Sequence, residues 1–365
     1  MSSPVAGPVP PAAPGDDPAA VLSGDDPAVV ASADDPGVVL SGYGPVGRAF
    51  AERLLTHADG LARDHGVRPR LAAVRVGSAE VELRDGGPVP PRAEWAPPGP
   101  LERNLDRTGA RVLVQALPSS PQLRQQAAEE AVLALERGVH VVTATKSHLL
   151  GHWRELARAA RAGGSLIRIS GATGAALPAA DLARTGVRGL GCRTVRACPN
   201  GTATFVLDRL AAGDPLDRAV GEAQRLGIAE ADPSADLSGA DAATKVRLLA
   251  ALLWGWDPAA VRVDTEAVDA GTGAAALAAA AEGRRLRAVA SASADRPLVV
   301  EVRLERTAPG DPLHALTGPE KAVVYGCPEA GDITVSGGRS SPLGAALAML
   351  RDTLDVTAPR GHGFG

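Results

Sequence analysis

One segment restricts the fold more than any other. Residues 37–40 form a short apolar run, after which the chain reads Ser41-Gly42-Tyr43-Gly44-Pro45-Val46-Gly47 and enters an amphipathic stretch over 48–57. Glycines at three fixed offsets, with a strand pattern before them and a helix pattern after, form the turn that cradles a dinucleotide. Gly42 permits the tight turn, Gly44 lets backbone approach a pyrophosphate, and Gly47 lets helix meet strand, while the helix N-terminus favours the anion. The expectation is an α/β chain built on a Rossmann-type doubly wound parallel sheet, with Gly42, Gly44, Pro45, Val46 and Gly47 against the cofactor.

The next 110 or so residues continue that pattern. A strand is expected over 71–76, but it ends in Val76-Gly77-Ser78 where an NAD site usually places an acid for the ribose hydroxyls. Glu80 is the nearest carboxylate, and Arg75 and Arg84 lie close by, so NADP is favoured with NAD possible. Residues 85–100 are dense in Pro and Gly and read as an irregular loop. A strand over 111–117, the turn Pro118-Ser119-Ser120-Pro121, a helix over 122–137 and a strand over 139–145 follow. Ser119 is a candidate cofactor contact, an ordinary helix-entry serine being the alternative. Strands alternating with helices imply a parallel sheet with its ligand at the strand ends.

The chemistry is concentrated further on, in residues 227–245, GIAEADPSADLSGADAATK. Glu230, Asp232, Asp236 and Asp241 lead straight into the apolar run VRLLAALLWG. With Ser238 capping a helix over about 239–254, Asp241 and Lys245 fall one turn apart on one face. That pairs a proton acceptor with a proton donor, although spacing alone describes any surface ion pair.

The whole string carries more than the spacing does. Gly-Ile-Ala-Glu-x-Asp-Pro-x-x-Asp-x-x-Gly-x-Asp-x-x-x-Lys resembles the signature of homoserine dehydrogenases, and Asn200-Gly201-Thr202 resembles their Asn-Gly-Thr turn. Thr143-Ala144-Thr145-Lys146 is similar to the family's Thr-Ala-Asn-Lys, with Thr145 in place of Asn. The second half of GGSLIRISGATGAALP, residues 163–178, resembles a family segment near the cofactor and a monovalent cation site, but Ser170 stands where that segment has glutamate. A hydroxyl is a poor substitute for a carboxylate, and no metal site is expected. Ile228 replaces a frequent Tyr, and Gly337-Gly338-Arg339-Ser340-Ser341 stands at a Gly-rich loop, with Gly338 a candidate cofactor contact. The resemblance spans about 37–356 and marks a divergent member.

The resemblance implies reversible hydride transfer between a nicotinamide and aspartate 4-semialdehyde, giving homoserine. Reduction puts negative charge on the carbonyl oxygen, which a nearby ammonium stabilises and protonates. Lys245 is the first candidate for that role, Lys146 the second, and Asp241 their partner. Glu230 and Asp236 are candidates for the substrate's amino group, and backbone at Gly201 and Thr202 for its carboxylate. Asp232-Pro233 is assigned to a turn. Two rival readings remain: a related reductase acting on another aldehyde or imine in a biosynthetic pathway, and a binding protein that kept the fold without turnover.

Composition sets the remaining bounds. With 365 residues there is length for two domains, and a net charge of -4 leaves no basic footprint for nucleic acid. Three cysteines, Cys192, Cys198 and Cys327, lack zinc-ligand spacing and an even count, which fits a reducing cytoplasm. No apolar run reaches bilayer length and no secretion signal opens the chain. Residues 1–36, with Asp-Asp-Pro recurring at 16, 25 and 34, read as a disordered leader. Residues 37–168 are expected as the dinucleotide domain, with 331–365 packing back on it, and 169–330 as a second, α+β substrate and dimerisation domain. A homodimer is the expected assembly.

Overall fold

The computed structural model describes residues 35–84, 87–338 and 340–358; all but the last two residues expected as a leader, and Arg339, lie outside them. The first sheet has the order β3-β2-β1-β4-β5-β6, with β1 at Gly37–Ser41, β2 at Arg70–Val76, β3 at Ala79–Glu82, β4 at Ala110–Gln115, β5 at His140–Thr143 and β6 at Ile167–Arg168. All pairings are parallel except β2–β3, an antiparallel hairpin that closes one edge. Val38, Val39 and Leu40 in β1 and Val112, Leu113 and Val114 in β4 are fully buried. Such unbroken apolar runs are what a strand covered on both faces requires.

The helix after the glycine turn, α1, runs over Pro45–His65, well past the expected end at 57. Phe50, Ala51, Leu54 and Leu61 repeat at helical spacing and seal it on the sheet. Further on, α2 (Leu101–Thr108), α3 (Arg124–Glu136) and α4 (Trp153–Gly163) complete this half. The chain builds outward from β1 through β2 to β3, then returns to β4 and builds the other way. The order therefore reverses between β1 and β4, and a ligand crevice opens beyond their carboxyl ends.

The second sheet has the order β12-β11-β7-β9-β10-β8. Its strands are β7 (Thr194–Cys198), β8 (Arg262–Thr265), β9 (Arg285–Ser293), β10 (Arg296–Thr307), β11 (Ala322–Cys327) and β12 (Gly331–Ser336), antiparallel except for β8–β10. Four longer helices accompany it, α5 (Gly201–Ala211), α6 (Leu216–Arg225), α7 (Ala240–Trp254) and α8 (Thr272–Ala281). Val195, Ala197, Ala290, Ala292, Val300 and Val302 share a core with α7, while Leu286 joins α5 and α8. By the two-residue alternation of a strand, these lie on one face, and Thr194, Arg196, Ser291, Ser293 and Glu301 point to the other.

The last helix, α9 (Pro342–Thr357), returns to the first half, where Ala346, Met349 and Leu350 pack in the core with Phe50 and Leu54. The expectation that 331–365 packs back needs correction at its start, because β12 pairs with β11 along its whole length and stays in the second sheet.

The glycine turn is set by sterics. Gly42 has φ +100, and a Cβ there would lie 2.5 Å from the carbonyl oxygen of Ala116. A Cβ on Gly47 would lie 2.1 Å from the carbonyl oxygen of Gly42, so strand and helix meet only because it is absent. Gly47→Ala must open the turn, with an expected loss on the order of 2 kcal/mol and of dinucleotide affinity. Thermal melting and cofactor titration of the variant check this; an unchanged affinity would mean that the turn does not carry the cofactor.

Candidate active site

Two loops at the carboxyl end of the first sheet meet the start of α7. The chain leaves β5 through Ala144 and Thr145, and the Thr145 hydroxyl donates to the Leu117 carbonyl at 2.9 Å. The Lys146 amide donates to Ser119 Oγ at 2.8 Å. Ser119 is therefore a prop for Lys146 and not a helix-entry residue, α3 beginning at Arg124 behind Leu123.

Lys146 reaches across to the second half, placing Nζ 2.6 Å from Asp241 Oδ1. Lys245 places its own Nζ 2.6 Å from Asp241 Oδ2 and donates to the Pro199 carbonyl at 2.9 Å. The helical spacing expected of Asp241 and Lys245 holds, but Ser238 does not cap the helix. Gly239, at φ +78, is the residue before α7, and the Ser238 hydroxyl donates back to the Ala235 carbonyl. A left-handed residue turns the chain into the helix there, leaving the Asp241 side chain free for the two lysines.

Asn200 fixes the other side of the carboxylate. Its Nδ2 donates to Asp241 Oδ2 at 2.9 Å and to Asp236 Oδ1 at 2.6 Å, while its Oδ1 accepts from the Ala203 amide and so caps α5. The sequence marked Asn200 only as part of a turn; neither its cap nor its bridge between two acids was read from it. Gly201 and Thr202 occupy the first turn of α5, where amides have no acceptor within the helix. The Thr202 hydroxyl donates to the Ile228 carbonyl at 3.1 Å. Glu230 is exposed, and its carboxylate helps to raise the pKa of Lys146. Asp232 accepts from the Ser234 amide and makes a turn.

The electrostatics follow from this geometry. Burial alone would push the Lys146 ammonium toward deprotonation, but Asp241, with Asp236 and Glu230 behind it, overcomes this and raises the pKa above that of a free lysine. Burial would raise the Asp241 carboxyl, yet Lys245 and Lys146 hold it well below the usual carboxylate range. Both lysines retain N–H donors beyond their contacts with Asp241.

Lys321 is a functional candidate that the sequence did not disclose. It stands immediately before β11, is 1% exposed, and donates from Nζ to the Gly174 carbonyl at 2.7 Å. Burial, and then repulsion from Lys245, lowers its pKa to about 8 against partial compensation by Asp241. Nothing in Pro319-Glu320-Lys321 distinguishes it from a surface lysine ahead of a strand.

Two expectations, on Glu80 and Arg75, shift. Glu80 cannot serve the ribose, because β3 folds back on β2 and sets its carboxylate on the buried Arg75, which also donates to the Gly99 carbonyl. Arg75 is consumed by the same pair. Ser170 donates through both its amide and its hydroxyl to Asp352 on α9, so its oxygen is committed to a carboxylate from another element. Gly338, at φ +66, packs so that a Cβ would lie 2.8 Å from the Leu177 amide nitrogen. Among the described residues no cluster of three or more His, Cys, Asp or Glu is arranged for a metal.

The glycine turn fits a dinucleotide: a Cβ on Gly44 would meet no protein atom within 4 Å, so the backbone is open where a pyrophosphate would approach. Together, this crevice and the Lys–Asp–Lys group beside it define a nicotinamide-dependent oxidoreductase. Residues 178–354 match the family model for homoserine dehydrogenase, and residues 42–170 match that for the homoserine dehydrogenase NAD binding domain. An NAD(+)-dependent homoserine dehydrogenase of Pseudomonas canavaninivorans is 30% identical over 254 residues, 68% of this chain and 71% of that one. A homoserine dehydrogenase of Methanocaldococcus jannaschii is 27% identical over 253 residues, 69% of this chain and 74% of that one. The chain belongs to the homoserine dehydrogenase family. The fold is shared with a putative homoserine dehydrogenase from Archaeoglobus fulgidus, at a TM-score of 0.75 and 24% identity over 89% of this chain and all of that one.

Lys321 gives a test in stability. Its pKa of about 8 lies below the 10.5 of a free lysine, so between those values the unfolded chain binds more protons and stability rises with pH. Below 8 the cost of the buried charge is fully present. Relative to Lys321→Met, the parent chain should gain stability as pH climbs from 8 toward 10, read from denaturant midpoints. A pH-independent difference would show that the ammonium carries no such cost.

Proposed function

We propose that the chain reduces aspartate 4-semialdehyde to homoserine with a nicotinamide cofactor, and that Lys245, Asp241 and Lys146 carry the chemistry. The observation behind this is Asp241 holding both ammoniums at 2.6 Å beside the dinucleotide crevice. The nicotinamide supplies the hydride when bound. As charge develops on the substrate's carbonyl oxygen, Lys245 stabilises it and transfers a proton from Nζ. Lys146, whose proton Asp241 holds, contributes a fixed positive charge. Asp241 orients both and keeps their mutual repulsion in check.

The substrate's ends have matching chemistry nearby. Glu230 and Asp236 offer carboxylates to its amino group, and the Gly201 and Thr202 amides at the start of α5 offer donors to its carboxylate. Gly42, Gly44, Pro45, Val46 and Gly47 hold the pyrophosphate, with Ser119, Lys146 and Gly338 at the nicotinamide end. A second reading, reduction of another small aldehyde or imine in a biosynthetic pathway, is favoured by Lys321, which adds an ammonium close enough to be repelled by Lys245.

The polar face of the second sheet, with Arg196, Ser291, Ser293 and Glu301, supports a homodimer formed through it, and sedimentation should give twice the chain mass. No helix among the described residues is long and apolar enough to cross a membrane, and we place the enzyme in the cytoplasm. Turnover with aspartate 4-semialdehyde, set in a panel of small aldehydes and imines with NADPH and NADH, tests the main reading. Lys245→Ala should lower kcat by at least about a hundredfold and leave cofactor affinity near that of the parent. Loss of cofactor binding in that variant would count against the proton-donor role.

A further inference from the structure

The strip Pro319-Glu320-Lys321, just ahead of β11, meets three loops at the junction between the crevice and the lysine cluster. A Cβ on Gly201 would lie 2.4 Å from the Pro319 carbonyl oxygen, so the turn that carries Asn200 into α5 rests directly on this strip. The Lys321 carbonyl accepts from the Gly337 amide at 2.9 Å, and the Lys321 ammonium donates to the Gly174 carbonyl at 2.7 Å. One residue thus holds two further loops, one by its backbone and one by its side chain.

These two loops also touch each other and the first half. Gly338 is packed so closely on Leu177 that a Cβ would lie 2.8 Å from the Leu177 amide nitrogen, and a Cβ on Gly171 would lie 3.1 Å from that of Ala144, shortly before Lys146. Further along the same strand, the Tyr325 hydroxyl donates to the Ala179 carbonyl at 2.6 Å. Positions 321 and 325 share a face by the two-residue alternation of a strand. The segment following β6 is therefore gripped twice from one side of β11.

The gripped segment is not relaxed. Ala175 has φ +51, a left-handed value unfavourable for a residue with a side chain, and a Cβ on Gly174 would lie 2.1 Å from the Leu177 carbonyl oxygen. Such backbone persists only where the surrounding contacts over-determine it. The ammonium that holds it is itself in an unfavourable place, buried and repelled by Lys245. The Gly174 carbonyl does not need that ammonium as its sole partner, because the Leu177 amide also donates to it, at 3.1 Å. A buried charge that the carbonyl could do without is explained by the arrangement it maintains.

We infer that Lys321 is a positioning residue for hydride transfer: by fixing the 174–177 turn and the Gly337-Gly338 loop against the turn that carries Asn200, it sets the distance between the nicotinamide and Lys245. The inference rests on the proposed reduction, in which Gly338 lies at the nicotinamide end and Lys245 supplies the proton. It adds a residue that touches neither reactant and acts through Gly174 and Gly337.

The parent chain is compared with Lys321→Met, similar in length but without a donor, and with Lys321→Gln, a shorter donor without charge. With the aldehyde that the parent reduces, Lys321→Met should lower kcat and the single-turnover rate of nicotinamide oxidation by at least about tenfold. The KM for the aldehyde and the dinucleotide affinity should stay near those of the parent. At neutral pH the melting temperature should equal or exceed the parent's, because a buried charge has been removed, and Lys321→Gln should fall between the two in rate. An unchanged single-turnover rate, a rate loss that tracks a lower melting temperature, or a Gln variant no faster than the Met variant would overturn the role. Should the parent bind a dinucleotide but reduce no aldehyde, the proposed reaction fails, and the fluorescence of bound NADPH or NADH decides the position of the nicotinamide by itself. A shifted emission maximum in Lys321→Met supports the role, and an unchanged one overturns it. A parent that binds neither dinucleotide would overturn the crevice, and this role with it.

Discussion

A single carboxylate held between two ammoniums fixes the geometry on which the site depends. Asp241 is largely withdrawn from solvent, and a lone charge in that position would be strongly disfavoured. It is tolerated because each oxygen has its own lysine and because Asn200 adds a neutral donor. The cluster of Lys146, Lys245 and Asp241 carries a net positive charge. Asp236 and Glu230 lie one step further out and temper that charge, so Lys146 keeps its proton.

Each member is delivered by a different kind of constraint. A left-handed glycine starts α7 one residue before the turn that bears Asp241, and helical periodicity then places Lys245 beside it. Lys146 arrives by parallel-sheet topology, at the end of a strand adjacent to β4, with Ser119 holding its amide. Asn200 arrives as a helix cap whose amide side has two acids to serve. Lys321 is the residue before β11 and donates to the carbonyl of Gly174, which belongs to the segment following β6.

What could be read from the chain tracks how local each constraint is. The glycine turn and the Asp241–Lys245 pair were legible because sterics and a 3.6-residue period act over a few positions. Ser238 was misassigned as a cap because a neighbouring glycine took the boundary with its backbone. Glu80 and Arg75 were misplaced together, since the tight Gly77-Ser78 turn reverses the chain and pairs them with each other. β12 looked like part of the returning tail because its partner strand is identified only by sheet register. Lys146 could be marked through the resemblance, but its meeting with Asp241 is a tertiary event. Lys321 left no local trace, because an ammonium that will be buried has the same neighbours in sequence as one that will not.

The two halves of the molecule are stitched by contacts that neither could complete alone: Lys146 with Asp241, and Ser170 with Asp352 on α9, which packs in the first half. Each half exported by itself would carry a stranded charge at the cut surface. The unit that recombination can transplant is accordingly the entire two-sheet body, because a chimera joined near residue 168 would set Lys146 of one parent against Asp241 of the other, while both sides of the Ser170–Asp352 contact would come from one parent.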